Sequence, residues 1–215
     1  NVPVLIEHAL KELLTDAMGA VIGVLVETPE GLQRIRGRQA VIVATGGYAH
    51  NTDMIKRYQE VFAYGSCAMP SSQGDFIPLA SRVGAQLGNL HGAWRCGVVL
   101  EQALENRSVG TGLFVPPGDS ILLVNRFGQR FVNEHRNYND RSRSHATFDP
   151  NRVEFPNEFQ FMIYDQRIVE TVGEQNGQPP IKPTESYVIS GRTLQDLARN
   201  IATRVEALAP RIGGY

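Results

Sequence analysis

Apolar residues along the chain fall into spacings that predict a short list of helices and strands. Residues 4–15 place Leu5, Ala9, Leu10, Leu13 and Leu14 near helical spacing, which predicts a first helix ended by Asp16-Ala17-Met18-Gly19. Residues 20–27 predict a strand; the turn Thr28-Pro29-Glu30-Gly31 then returns the chain over 32–36 as a hairpin. The run 39–44 (QAVIVA) is apolar enough for burial on both faces, as in a central parallel strand, and it stops abruptly at Thr45-Gly46-Gly47. Helices are predicted over 51–60, capped by Asn51 or Thr52, and over 75–87, with Ile77, Ala80, Val83 and Leu87 on one side. Residues 88–119 are rich in glycine, carry no sustained period and read as loops with short strands.

A tight hairpin is predicted next, with arms 120–125 and 130–134 around Arg126-Phe127-Gly128-Gln129. Residues 136–156 are polar and Arg-rich, 158–164 (EFQFMIY) read as a buried strand, and 165–171 can open a helix. A Gly/Pro/Gln loop follows over 173–183. The last helix has the clearest pattern. Thr193 and Asp196 make a capping-box-like start, Leu194, Leu197, Ala198, Ile201, Val205 and Leu208 form one stripe, and Pro210 and Gly213 are expected to stop it.

Composition narrows the class. The chain has 215 residues, 42% of them hydrophobic and 20% charged, which excludes a disordered segment and gives room for one large domain or two small ones. A formal charge of −1 argues against a dedicated nucleic-acid binder. No apolar run approaches the length of a membrane span. Two cysteines, Cys67 and Cys96, make neither a disulfide framework nor a four-ligand zinc site, and a cytoplasmic location, at most peripheral to a membrane, is expected. The five histidines lack metal-ligand spacing, so no metal is expected and each reads as a surface or hydrogen-bonded residue. No G-x-G-x-x-G, P-loop, nucleophile elbow or H-E-x-x-H occurs, and Gly110-Thr111-Gly112 lacks the third glycine of a phosphate fingerprint.

Three segments carry candidate chemistry. The first is the strand end Ala44-Thr45-Gly46-Gly47, preceded by Asp16-x-x-Gly19-x-Val21-x-Gly23-Val24; glycines there let phosphate or ribose approach the backbone. The second is Gln73-Gly74-Asp75-Phe76, where a glycine and a capping carboxylate enter a helix and free amides gather at one place. An ordinary N-cap explains it equally well. The third is Val124-Asn125-Arg126-Phe127-Gly128-Gln129-Arg130-Phe131-Val132-Asn133-Glu134, with Tyr138 four residues on.

In this order the segments resemble the flavoprotein family of fumarate reductase, succinate dehydrogenase and 3-ketosteroid dehydrogenase. The family pattern is a D-x-x-G-x-V-x-G-V hairpin, an A-T-G-G strand end, T-G-D-G with a helix reaching G-A, and V-N-x-x-G-x-R-F-x-N-E. The resemblance covers essentially the whole chain, and it departs at Gln73-Gly74-Asp75-Phe76. It implies FAD as cofactor, with Ala44, Thr45, Gly46, Gly47, Gly74 and Asp75 as cofactor-binding residues. The fumarate-reducing branch has an arginine four residues after N-E; here Tyr138 stands there, as in the ketosteroid branch, where the tyrosine is the acid/base. Ala93-Trp94 matches that branch too, and Cys96-Gly97 replaces the fumarate reductases' His-Pro.

The resemblance therefore implies Tyr138 as the catalytic residue and Trp94, Glu134 and Arg136 on the substrate side. Trp94 reads equally well as core packing. A phenol works near neutral pH only if cations or hydrogen bonds lower its pKa, which Arg136 and Arg141 could supply. The expected activity is flavin-dependent chemistry on a CH–CH or C=C bond beside a carbonyl, with a steroid-like enone as the small-molecule substrate. The alternative enzyme reading is reduction of a small unsaturated carboxylate clamped by the Arg-rich segment 126–152. A non-enzymatic module binding RNA or an acidic protein through that segment fits poorly with the single Trp and absent aromatic-basic interleaving.

The implied fold class is α/β plus α+β: a partial Rossmann-like FAD-binding domain over 1–90, a crossover over 91–119 and an α+β substrate cap over 120–215. The family order also implies that the G-x-G-x-x-G element precedes Asn1, that a further nucleotide-binding segment follows Tyr215, and that the chain is the middle of one about twice as long.

Overall fold

The computed structural model describes residues 2–109, 112, 115, 120–172 and 185–212. Gly110, Thr111 and the predicted loop 173–183 lie outside the described residues, as does Gly213. By contacts the chain divides into two compact units, Asn1–Gln59 with Ala68–Gly92, and Glu60–Cys67 with Ala93–Tyr215.

The first unit is built on an antiparallel meander of β1 (Ala9–Thr15), β2 (Val21–Thr28) and β3 (Gly31–Arg36). The β2–β3 hairpin is the predicted one, with Thr28 opposite Gly31 across the turn. The predicted first helix is instead β1, and the bulge in its ladder explains why its pattern looks helical. Leu10 opposes Val26 and Leu13 opposes Val24, with Lys11 as the extra residue. Val24 and Val26 are two apart and share a face, so a bulge turns the helix-like spacing of three in β1 into a same-face pair.

The predicted central strand 39–44 is also corrected. Val41 and Val43 are half-buried, Ile42 is 89% exposed, and no described residue supplies a ladder partner. An apolar run becomes a sheet strand only when a second strand meets its amides and carbonyls. Every ladder among the described residues is antiparallel; the single parallel pairing is the isolated Ser66–Ser108 bridge.

Two short helices complete this unit. α1 (Thr52–Tyr58) is capped by Asn51, whose side chain accepts the Met54 N–H, and it buries Ile55. α2 (Phe76–Arg82) buries Ile77 and Leu79 and ends before the predicted boundary, where the Val83 and Gly84 amides fold back on Ala80 and Ser81. Asp75 opens α2 without the capping carboxylate bond the sequence suggested, because its backbone is already helical at φ −55°, ψ −28°.

The second unit holds α3 (Leu100–Glu105), β4 (Ile121–Asn125), α4 (Tyr138–Ser142) with a tight helical turn over Arg143–Ala146, β5 (Gln160–Tyr164), α5 (Gln166–Val172) and α6 (Leu194–Ile212). β5 and α5 match the predicted strand and helix. α3 falls in the segment read as loops with short strands, and α4 in the polar, Arg-rich segment to which no element was assigned. α6 begins with Thr193 Oγ1 accepting the Asp196 N–H at 3.1 Å, as predicted, but runs through Pro210 instead of stopping there.

The predicted hairpin after β4 is reduced to a single Val124–Arg130 bridge, and β4 pairs with β5 along its whole length. Glu134 is the reason: its carboxylate accepts the Leu123 N–H at 2.9 Å and grips Arg130, so side-chain bonds replace a return strand.

Candidate active site

In the first unit the structure brings the two glycine segments together. The Gly74 N–H donates to the Gly47 carbonyl at 3.0 Å, and the His50 N–H donates to the Ser72 carbonyl at 3.1 Å. Asn51 joins them from α1, since its Nδ2 donates to the Gln73 carbonyl at 2.9 Å while its Oδ1 caps the helix. Gly46 and Gly74 hold φ of +79° and +83°. A β-carbon at Gly74 would stand 2.5 Å from Met54 Sδ and 2.8 Å from Tyr48 Cβ, so only glycine lets 74 nest against 47. Tyr48 is locked behind the loop by hydrogen bonds to the Leu90 carbonyl and Gln59 Nε2 and packs edge-on against Tyr58 at 5.8 Å. Ala44 to Gly47 are exposed, and among the described residues their amides donate to no group of the chain.

In the second unit the long motif proves to be a self-contained knot. Asn125 is 4% exposed. Its Oδ1 accepts the Phe127 and Gln129 amides at 3.0 and 3.1 Å, and its Nδ2 donates to Asn157 Oδ1 at 3.2 Å. Gly128 takes the turn position at φ +73°. Glu134 accepts Arg130 Nε at 3.1 Å and Nη2 at 2.7 Å. Burial alone would raise the Glu134 carboxyl, but the Arg130 guanidinium and the Leu123 and Glu134 amides prevail and hold it at about 2. Both oxygens of Glu134 are thus engaged inside the chain.

The chemistry-bearing side chains lie just beyond this knot. Asn137 caps α4, its Oδ1 accepting the Asp140 N–H at 3.0 Å while its Nδ2 donates to Asp140 Oδ2 at 2.9 Å. That reciprocal pair was legible as N-x-x-D in the polar, Arg-rich segment. α4 starts at Tyr138, and the ring stacks on Trp94 with centroids 6.2 Å apart and planes 13° from parallel. The Arg95 N–H donates to Asn139 Oδ1 at 3.0 Å, fixing the Trp94 segment against α4. Trp94 is 80% exposed, so it is no core residue; it is a plate with one face taken by the tyrosine. Arg136 is exposed, and its side chain makes no ion pair among the described residues.

Arg141, which the sequence offered only as a cation near the phenol, and Cys96, noted there only as replacing a histidine, lie three residues after Tyr138 and two after Trp94. Burial pushes the Cys96 thiol up, partly offset by the Arg141 charge. Burial pushes Arg141 down, opposed by Cys96 and Glu134. His145 sits deeper, its Nδ1 bonded to the Glu158 carbonyl at 2.9 Å; burial pushes it below the usual histidine range. Among the described residues no group of three or more His, Cys, Asp or Glu could hold a metal, and no helix is long and apolar enough to cross a membrane.

The FAD binding domain family matches residues 1–180. The chain belongs to this FAD-binding family. Among its relatives is the 4-oxocyclohexanecarboxylate 2-dehydrogenase of Sinomonas cyclohexanicum, 32% identical over 199 residues, covering 92% of this chain and 34% of that protein. The cytochrome-type fumarate reductase of Shewanella frigidimarina is 33% identical over 128 residues, covering 57% of this chain and 21% of that one. The 3-ketosteroid delta1-dehydrogenase of Sterolibacterium denitrificans shares the fold, with a TM-score of 0.69 at 22% identity over 94% of this chain and 38% of that one. The chain thus spans about a third or less of the length of these relatives.

Members of this FAD-binding family are flavin-dependent oxidoreductases, as the ketosteroid and fumarate resemblance implied. The backbone at 44–47 fits the polar edge of such a cofactor, since its amides are exposed and donate to no group among the described residues, while Gly74 is buried behind it with its own N–H spent on the Gly47 carbonyl.

Proposed function

We propose that the protein containing this chain is a dehydrogenase that removes two hydrogens across the CH–CH bond next to a ring ketone, with steroid-like enones within the substrate class. The observation that carries the reading is the Trp94–Tyr138 pair: a phenol at the start of a capped helix, stacked on an exposed indole that offers an apolar wall to a ring. The relative that acts on 4-oxocyclohexanecarboxylate supports a cyclic ketone as the class.

FAD, when bound, supplies the acceptor for the hydride. The amides of Thr45, Gly46 and Gly47 hold the cofactor's polar edge in this reading, Gly74 supports them from behind through its bond to the Gly47 carbonyl, and Asp75 follows at the start of α2. Tyr138 Oη removes the proton from the carbon next to the ketone, and the same group returns it in the reverse direction. Asn137, through its cap, and Arg95, through Asn139, fix the helix that presents the phenol. Glu134 acts at one remove, by folding 130–134 so that α4 starts where it does. Arg136 is assigned to the substrate side as an exposed cation.

A second reading, reduction of a small unsaturated acid, draws on the fumarate reductase relative and on the basic side chains Arg136 and Arg141. A tyrosine where a guanidinium would deliver the proton weighs against it.

The deciding experiment is steady-state turnover by the full-length protein of a 3-ketosteroid, a cyclohexanone and fumarate, with an artificial electron dye. Turnover of the ketones with bleaching of a yellow enzyme is expected. Protein that purifies colourless and takes up no FAD, or that turns over fumarate alone, overturns the reading.

A further inference from the structure

Arg141 is half-buried on α4, and its Nε is fully buried without a hydrogen-bond partner. Arg107 shares that orphaned Nε, but its Nη1 donates to the Ala63 and Tyr64 carbonyls at 2.8 and 3.2 Å. The Arg141 guanidinium makes no hydrogen bond and no ion pair among the described residues, while Glu134, the carboxylate nearest to it in sequence but one, is spent on Arg130 and Leu123. A guanidinium N–H withdrawn from water without an acceptor is costly, and a ligand oxygen that reaches it removes that cost.

Its position adds direction. Tyr138 and Arg141 are three residues apart on one helix and so share a face. Trp94 stacks on Tyr138, and Cys96, two residues further along, feels the Arg141 charge.

We propose that Arg141 is a specificity-determining residue that pairs with a carboxylate carried by the substrate, so that the preferred substrate is a ring ketone bearing an anionic group. This rests on the ring-ketone reading above. The planar fork of the guanidinium suits a carboxylate bidentately, while the ring lies against Trp94 and the ketone side faces Tyr138. No bond is made or broken at Arg141; it supplies orientation.

The test uses full-length holoenzyme with Arg141→Gln and Arg141→Lys. With 4-oxocyclohexanecarboxylate, R141Q is expected to lower kcat/KM about 10- to 100-fold more than it does with cyclohexanone, mostly through KM, with partial rescue in R141K. Equal losses on both ketones, or no loss on either, overturn the proposal. Calorimetric titration with cyclohexanecarboxylate keeps the two readings separable: wild type binds it and R141Q does not. Binding that survives R141Q, or no binding by wild type, overturns the Arg141 assignment even if ketones are oxidised. Arg141-dependent binding with no ketone turnover upholds it and removes the dehydrogenase reading instead.

Discussion

The glycine segments 44–47 and 72–75 of the first unit and the motif 124–134 of the second both carry family signatures, but they are built in opposite ways. The first pair works by lacking side chains: Gly74 sits on Gly47, and exposed amides are left open for a ligand. The second works through side chains that satisfy one another, Asn125 closing its own turn and Glu134 holding Leu123 and Arg130. A motif of the second kind is specific as a family mark because so many residues must agree, yet its polar atoms are consumed within the fold. The groups to which the proposed chemistry is assigned stand next to it, at Trp94, Tyr138 and Arg141.

This contrast can be broken at several points. The largest effect is expected at Tyr138→Phe in the full-length protein. Turnover should fall by about 10³-fold or more while bound flavin absorbance is unchanged; near-normal turnover would take the acid/base role from Tyr138. Next comes Gly74→Val, where the new side chain meets Tyr48 and Met54 and the φ of +83° is strained. A stability loss of roughly 3 kcal/mol and loss of FAD on purification are expected, read by thermal melting and by flavin-to-protein absorbance. Retention of full FAD by that variant would mean the segment 72–75 is not part of the cofactor cradle.

Glu134→Gln probes the side-chain knot. The loss of charge should cost roughly 2–3 kcal/mol in chemical denaturation, with flavin binding intact. The sign of the pH effect follows from the carboxyl lying at about 2 in the folded chain against an ordinary 4.5. Its stabilisation is full above about pH 4.5 and drains away as pH falls towards 2, so wild type should lose stability across that window and the glutamine variant much less. Parallel acid curves for the two proteins would place the stabilising charge elsewhere. The smallest effect is expected at Gly128→Ala. The space beside Gly128 is open, so only the φ of +73° is paid for, about 1 kcal/mol, measured by the shift in denaturation midpoint. A much larger loss would mean that the turn closes on something beyond its own residues.

Local elements with strong signals were legible. The β2–β3 hairpin, the Asn51 cap of α1, strand β5 and the Thr193 start of α6 all follow from turn residues, caps and periodicity within ten or so residues. The first strand misled because a bulge imitates helical spacing, which no reading of β1 alone reveals. α4 was hidden by polarity, since its stability comes from the Asn137–Asp140 cap and from docking through Asn139 rather than from an apolar stripe.

By itself, the sequence determined the family and the chemical inventory: glycines where a backbone must be bare, a tyrosine four residues after the N-E motif, and a family whose cofactor is FAD. Those are properties of residue type and order, and they survive without coordinates. Only the tertiary structure decided which polar groups are spent and which remain available. Glu134 was expected on the substrate side until its oxygens were found on Leu123 and Arg130, and Arg141, offered by the sequence only as a cation near the phenol, proved to bury an Nε that no acceptor among the described residues meets. Pairing and desolvation depend on neighbours distant in sequence, and for a charged group they outweigh anything its local spacing can express.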